Sequence, residues 1–153
     1  MPFHVVLIEP EIPPNTGNIA RLCAATGTVL HLVGQLGFSL EDKYLKRAGL
    51  DYWEAVQLNR WETLEKLTEA YPQSRCWYAS KKARSVYSEV TYSPGDMLVF
   101  GKETKGLPED LLEAHPDQAI RIPIFDARVR SLNLSTSAGI VLYEALRQTA
   151  RLV

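Results

Sequence analysis

The chain has no excess of either charge. Its 17 Lys and Arg stand against 18 Asp and Glu, a formal net charge of −1 at pH 7. A uniformly basic, nucleic-acid-coating surface is thereby excluded, and any polyanion site has to be a local patch. Cysteine is scarce: Cys23 and Cys76 are the only two and have no CxxC spacing. They read as reduced structural thiols of a cytoplasmic protein. His4, His31 and His115 are scattered, which argues against a histidine-based metal site. No basic start followed by a long apolar segment is present, so neither a signal peptide nor a membrane span is expected. Neither GxGxxG nor GxxxxGK[ST] occurs, which removes support for a Rossmann dinucleotide site or a P-loop. GxSxG is missing too, and no Ser-His-Asp set is evident. Repeats, low-complexity stretches and linkers are also lacking. The 153 residues, 46% of them apolar, predict one domain over 1–153 built on one core.

What is present is an alternation of short apolar runs with helical patterns. Strands are predicted at residues 4–8 (HVVLI), 28–33 (TVLHLV), 76–80 (CWYAS), 96–100 and 119–124, with a short edge strand at 55–58. Pro123 should end the last of these. Helices are predicted at 19–26, ended by Gly27, and at 40–48, opened by a Ser39/Asp42 capping box. Two more are predicted at 61–70 and from Leu107 and Pro108 onward. The last follows Asn133 and Ser135, with Leu134, Ala138, Val141, Leu142, Ala145 and Leu146 forming one apolar face. The alternation implies an α/β fold with a mainly parallel sheet covered by helices on both faces.

Three loops that follow strands carry the polar residues: 9–18, 101–108 and 126–133. In open α/β sheets ligands sit at the carboxyl ends of strands, so these loops, with the one after Ala79, can meet at one site. Gly17, Gly101 and Gly106 permit tight turns there. Ser131, Asn133, Ser135, Thr136, Ser137 and Gly139 crowd small groups around a helix start, an arrangement that equally suits a well-capped core helix. Glu103 is placed to shape its loop through backbone N–H groups. Arg21, in the first turn of its predicted helix, opposes the helix dipole. It is either a plain exposed arginine or one held near a phosphate or reacting oxygen.

The stretches PPNTGNIARLCAATG, LVFGKETKGLP and IRIPIFDARVRSLNLSTSAGIVLYEA, in that order, resemble the three sequence motifs of the SPOUT RNA methyltransferases. The resemblance runs from about Glu9 to Gln148 and includes GFSLEDKYLKRAGLDYW. It is strongest to the small single-domain group that methylates the ribose 2′-oxygen of the wobble nucleotide, cytidine or modified uridine 34, in tRNA. It implies a deep C-terminal trefoil knot, a homodimer joined through the first and last helices, and S-adenosylmethionine as cofactor, with S-adenosylhomocysteine as product. By motif position the cofactor touches the main chain at Ala79, Gly101, Ile122, Ser131 and Leu132. Arg21 is implied to orient the 2′-hydroxyl and stabilise the developing alkoxide. Asn133 and Ser135 are implied to hold the motif loop or the substrate, and Tyr143 either contacts substrate or packs in the core. The segment after Pro123 is a residue longer than the group's pattern, so either Arg128 or Arg130 takes the substrate-facing role. With no further RNA-binding domain, the anticodon stem-loop is expected to be gripped by basic patches at Lys43 and Arg47, at Lys81 to Arg84, and at Arg128 and Arg130. Competing readings are another tRNA or rRNA ribose methyltransferase, a knotted RNA-binding protein without turnover, and a small-molecule nucleotide-binding α/β protein.

Overall fold

A computed structural model describes residues 1–49 and 54–149. Residues 50–53, which end the stretch GFSLEDKYLKRAGLDYW, lie outside the described residues. The strands are β1 (His4–Ile8), β2 (Val29–Val33), β3 (Leu58–Trp61), β4 (Cys76–Ala79), β5 (Ser85–Val86), β6 (Met97–Phe100) and β7 (Ala119–Arg121). The helices are α1 (Pro13–Thr26), α2 (Lys43–Gly49), α3 (Leu64–Ala70), α4 (Glu109–Ala114) and α5 (Leu134–Thr149). All seven strands join one sheet in the order β3-β2-β1-β6-β4-β7-β5, and every pairing is parallel.

Successive strand residues alternate between two apolar layers. Val5, Leu7, Leu30, Leu32 and Leu98 pack with Ile19, Cys23, Ala138, Val141 and Leu142 of α1 and α5. Val6, Val33, Tyr78, Met97 and Val99 pack on the other face with Leu67 of α3 and Leu111 and Leu112 of α4. The apolar stripe of α5 is therefore intramolecular core. No helix among the described residues is long and apolar enough to cross a membrane.

Several element boundaries differ from expectation. α1 begins at Pro13, not Ile19, because prolines fit a first helical turn that needs no N–H donors. Its carboxyl end is closed by Gly27 at φ 66°, whose N–H bonds to the Cys23 carbonyl. The edge strand lies at Leu58–Trp61 rather than 55–58, and Trp61 belongs to it, not to the following helix. Thr63 caps that helix through a bond from the Lys66 N–H. At α2 the Asp42 carboxylate accepts from the Tyr44 and Leu45 N–H groups, while Ser39 accepts from Glu41. This is a simple Asp cap in place of a capping box, and α2 starts three residues later than expected, at Lys43. β7 stops at Arg121, ahead of Pro123, so Ile122 lies beyond it. β5, two residues pairing with β7, falls where only a basic loop was read.

Trp61 is drawn into β3 by a buried polar chain. Its indole N–H donates to His31 Nδ1 at 2.9 Å, and His31 Nε2 lies 2.8 Å from His4 Nδ1. Because indole only donates, His31 carries its proton on Nε2 and donates to His4. Protonating His31 at Nδ1 would set two donors against each other. Burial, with the nearby His4 adding to it, pushes the His31 pKa down to about 4, and burial also lowers that of His4. The unfolded chain then binds more protons between its ordinary pKa of 6.5 and the folded value. Stability is thus full above that window and falls as pH drops through it, by at most about 3 kcal/mol from His31. Urea denaturation at stepped pH should show this slope, and His31→Asn should flatten it.

Candidate active site at the carboxyl edge of the sheet

The loops after β1, β4, β6 and β7 leave the same edge of the parallel sheet and surround a cavity of about 630 Å³. That volume is ordinary for a small-molecule site. Its apolar wall comes from Ala79, Leu107, Ile120, Ile122, Ile124, Leu132 and Val141, and its rim carries Lys81, Lys82, Lys102, Lys105 and Arg130.

The loops are held together by carboxylates and amides. The Glu103 carboxylate, from the loop after β6, accepts from the Glu11 and Ile12 N–H groups, both at 2.8 Å, and from Asn15 Nδ2 at 3.3 Å. α1 has no acid in its own first turn and no side-chain cap. Glu103 supplies both the missing acceptor and the negative charge favoured at a helix amino end. Glu11 reciprocates by accepting from the N–H and hydroxyl of Thr104, at 3.0 and 2.7 Å, and the hydroxyl bond above all holds its carboxyl below the usual range. Asn15 Oδ1 accepts from Asn133 Nδ2 at 3.0 Å, which ties in the loop after β7. Asn133 Oδ1 caps α5 by accepting from Ser135 N, Ser135 Oγ and Thr136 N. One hydrogen-bonded chain thus runs Thr104–Glu11 and Glu103–Asn15–Asn133–Ser135. Glu9, where the chain turns out of β1, sits at φ 50° without being glycine, a strained backbone of the kind that collects at functional sites. Removing the carboxylate with Glu103→Ala leaves several donors unpaired and should lower stability by about 2–3 kcal/mol in chemical denaturation.

The structure gathers some sequence-derived candidates and separates others. Ala79, Gly101, Ile122, Ser131 and Leu132 all line the cavity, with Asn133 and Arg130. Arg128 does not. Its guanidinium is forked onto Asp126 at 2.7–3.2 Å, and that partner holds the Asp126 carboxyl below its ordinary range. Arg21 is exposed on α1, Tyr143 is 49% exposed on α5, and neither lines the cavity, nor does Ser135. Lys43 and Arg47 are exposed on α2 and stand apart from it as well. Arg75 and the basic patch from Lys81 to Arg84 lie at opposite ends of β4. Arg75, at the strand's start, bonds to buried Asp96 and lies over the Trp77 ring, whereas Lys81 and Lys82 reach the cavity, Lys82 paired with Glu109. Sequence reading missed Asn15, the buried amide joining two loops, because as the first residue of NTGN it looks only like part of a turn and helix cap.

A parallel sheet with a cavity at its carboxyl edge is the arrangement in which α/β proteins hold small-molecule ligands. The SpoU rRNA methylase family matches residues 2–143. The chain belongs to that family and is a methyltransferase. It is 51% identical to the tRNA (cytidine(34)-2′-O)-methyltransferase of Methylovorus glucosotrophus, over 95% of each chain. A solved structure concerned with the 2-OH methylation of C/U34 on tRNA matches with a TM-score of 0.90 at 44% identity, covering 95% of both chains. The AdoMet-bound rRNA methyltransferase of Sinorhizobium meliloti matches with a TM-score of 0.85 at 27% identity, over 95% of this chain and 56% of that one.

Proposed function

We propose that the protein transfers a methyl group from S-adenosylmethionine to the ribose 2′-hydroxyl of nucleotide 34 in tRNA, a cytidine or a 5-carboxymethylaminomethyluridine. The observation that carries this reading is the near-full-length 51% identity to an enzyme named for that reaction. The cavity supports the cofactor. Its apolar wall suits an adenine ring, and Ala79, Gly101, Ile122, Ser131 and Leu132, which line it, would bind the cofactor through main-chain groups. When bound, the cofactor supplies an electrophilic methyl group on a sulfonium.

The chain's own task is alignment and control of the hydroxyl proton. Alignment in ideal intramolecular cases supplies roughly 7–11 kcal/mol. The Glu103–Asn15–Asn133 chain fixes the loops that would do it. A guanidinium is a poor base, so the role of Arg21 is to orient the hydroxyl and stabilise the developing alkoxide. Arg130 takes the substrate-facing role in preference to Arg128, since it lines the cavity and Arg128 is engaged by Asp126. Ser135 acts through Asn133 as a positioning group. Tyr143, Lys43 and Arg47 are exposed where RNA can reach them.

The same reading includes a C-terminal trefoil knot, in keeping with β7 entering between the earlier strands β4 and β5. It includes one SPOUT domain, a cytoplasmic location with the tRNA, and a homodimer. The buried stripe of α5 leaves the outer surface of α1, with exposed Ile12, and the rest of α5 for the second copy. The test is transfer of labelled methyl to tRNA followed by mapping. A ribose-methylated nucleotide 34 is expected; label in rRNA alone, or RNA binding with no transfer, would overturn the reading.

A further inference from the structure

Of the four phenylalanines, Phe3 and Phe100 are buried and Phe38 is half-buried, but Phe125 is 98% exposed. It belongs to neither apolar layer, so it contributes nothing to the core, and an aromatic ring left wholly in water forgoes the gain of burial. Its place is specific. Ile124, the residue before it, lines the cavity. The residues after it form a tight turn, in which the Val129 N–H bonds to the Asp126 carbonyl at 3.0 Å and the Arg128 N–H to the Asp126 side chain at 2.9 Å. Phe125 and Arg130 therefore stand on the two sides of a braced turn, and Arg130 also lines the cavity. A ring beside a cavity-lining arginine on a braced turn is the chemistry that holds unstacked bases: the ring takes a base face and Arg130 takes phosphate.

We propose that Phe125 is a stacking platform for a nucleobase of the RNA substrate adjoining the nucleotide that is methylated. The inference rests on the reading above, that the substrate is a tRNA loop. Placing a ribose hydroxyl against the cavity requires the loop to splay, and a splayed base needs a new stacking partner. Arg130, at the end of the turn and on the cavity wall, favours RNA over a second copy of this chain as the occupant.

The test compares the full-length protein with Phe125→Ala and Phe125→Trp. Measured quantities are KM and kcat for tRNA, calorimetric affinity for S-adenosylmethionine, and mass by light scattering. Phe125→Ala should raise KM about 10-fold, with cofactor affinity and mass unchanged, and Phe125→Trp should restore KM. An anticodon stem-loop with a single abasic nucleotide, walked through the loop, should reveal one position at which Phe125→Ala no longer matters. Unchanged KM, a shared loss of cofactor affinity, or a change of mass showing that the ring serves a copy interface would overturn the proposal. If the wild-type protein leaves tRNA unmethylated, the reading of function fails separately. Filter binding of a single-stranded oligoribonucleotide to the two variants then still decides on Phe125: equal binding overturns it, and weaker binding to Phe125→Ala alone upholds it.

Discussion

Gly101→Ala is expected to weaken cofactor binding by at least about 100-fold and to destabilise the fold. Gly101 is buried directly after β6, where the loop that leaves the sheet returns against its own start. A Cβ built there would lie 2.1 Å from the Gly106 carbonyl carbon and 2.3 Å from the Leu107 nitrogen. Both are backbone, so no rotamer change can make room. The contact is locked by the Gly106 N–H bonding to the Lys102 carbonyl at 2.8 Å. The methyl group would force the loop open at the point where it borders the cavity. A displacement of about 1 Å in such a wall can cost roughly 100-fold, and overpacking against backbone costs about 3 kcal/mol. Gly106→Ala is the control. Its Cβ would meet nothing within 4 Å, but its φ of 68° is left-handed, so a milder loss of about 1–2 kcal/mol follows. Calorimetric titration with S-adenosylmethionine and thermal unfolding of both variants separate the two effects.

Arg21→Ala should lower single-turnover methyl transfer by roughly 100- to 1,000-fold, the scale for losing a group aimed at developing charge. Cofactor affinity should stay within a few-fold, because Arg21 does not line the cavity. Its helix is nevertheless fixed against the site, since Glu103 and Asn133 grip the amino end of α1 through Ile12 and Asn15. Arg21→Lys keeps the charge and loses the planar fork, so partial recovery is expected. Equal losses of transfer and cofactor affinity would assign Arg21 to the cofactor site instead.

The sequence disclosed the layering well because its apolar runs are dense. HVVLI, VLHLV and MLVF are buried on both faces of a parallel sheet and could hardly be anything else. It disclosed less where tertiary partners decide. Trp61 looked like the first residue of a helix, and it is pairing with Val33 of β2 and the bond to distant His31 that hold it in a strand. Ser85 and Val86 have no strand signature of their own and become one by pairing with β7. The proposed cofactor wall was legible only through motif resemblance, since Ile122 read in isolation is an ordinary core residue. Asn15 stayed hidden because its two partners lie 88 and 118 residues away. Arg128 and Arg130 could not be told apart until the turn showed Asp126 bound to one of them.

The most direct test follows amide hydrogen exchange with and without S-adenosylmethionine. New protection should fall together on residues 79–80, 101–107 and 122–133, and be absent from the opposite edge of the sheet near Arg75 and Asp96. Protection of a single one of these segments, or slowing at that opposite edge instead, would contradict a site built from strand-end loops converging on one cofactor.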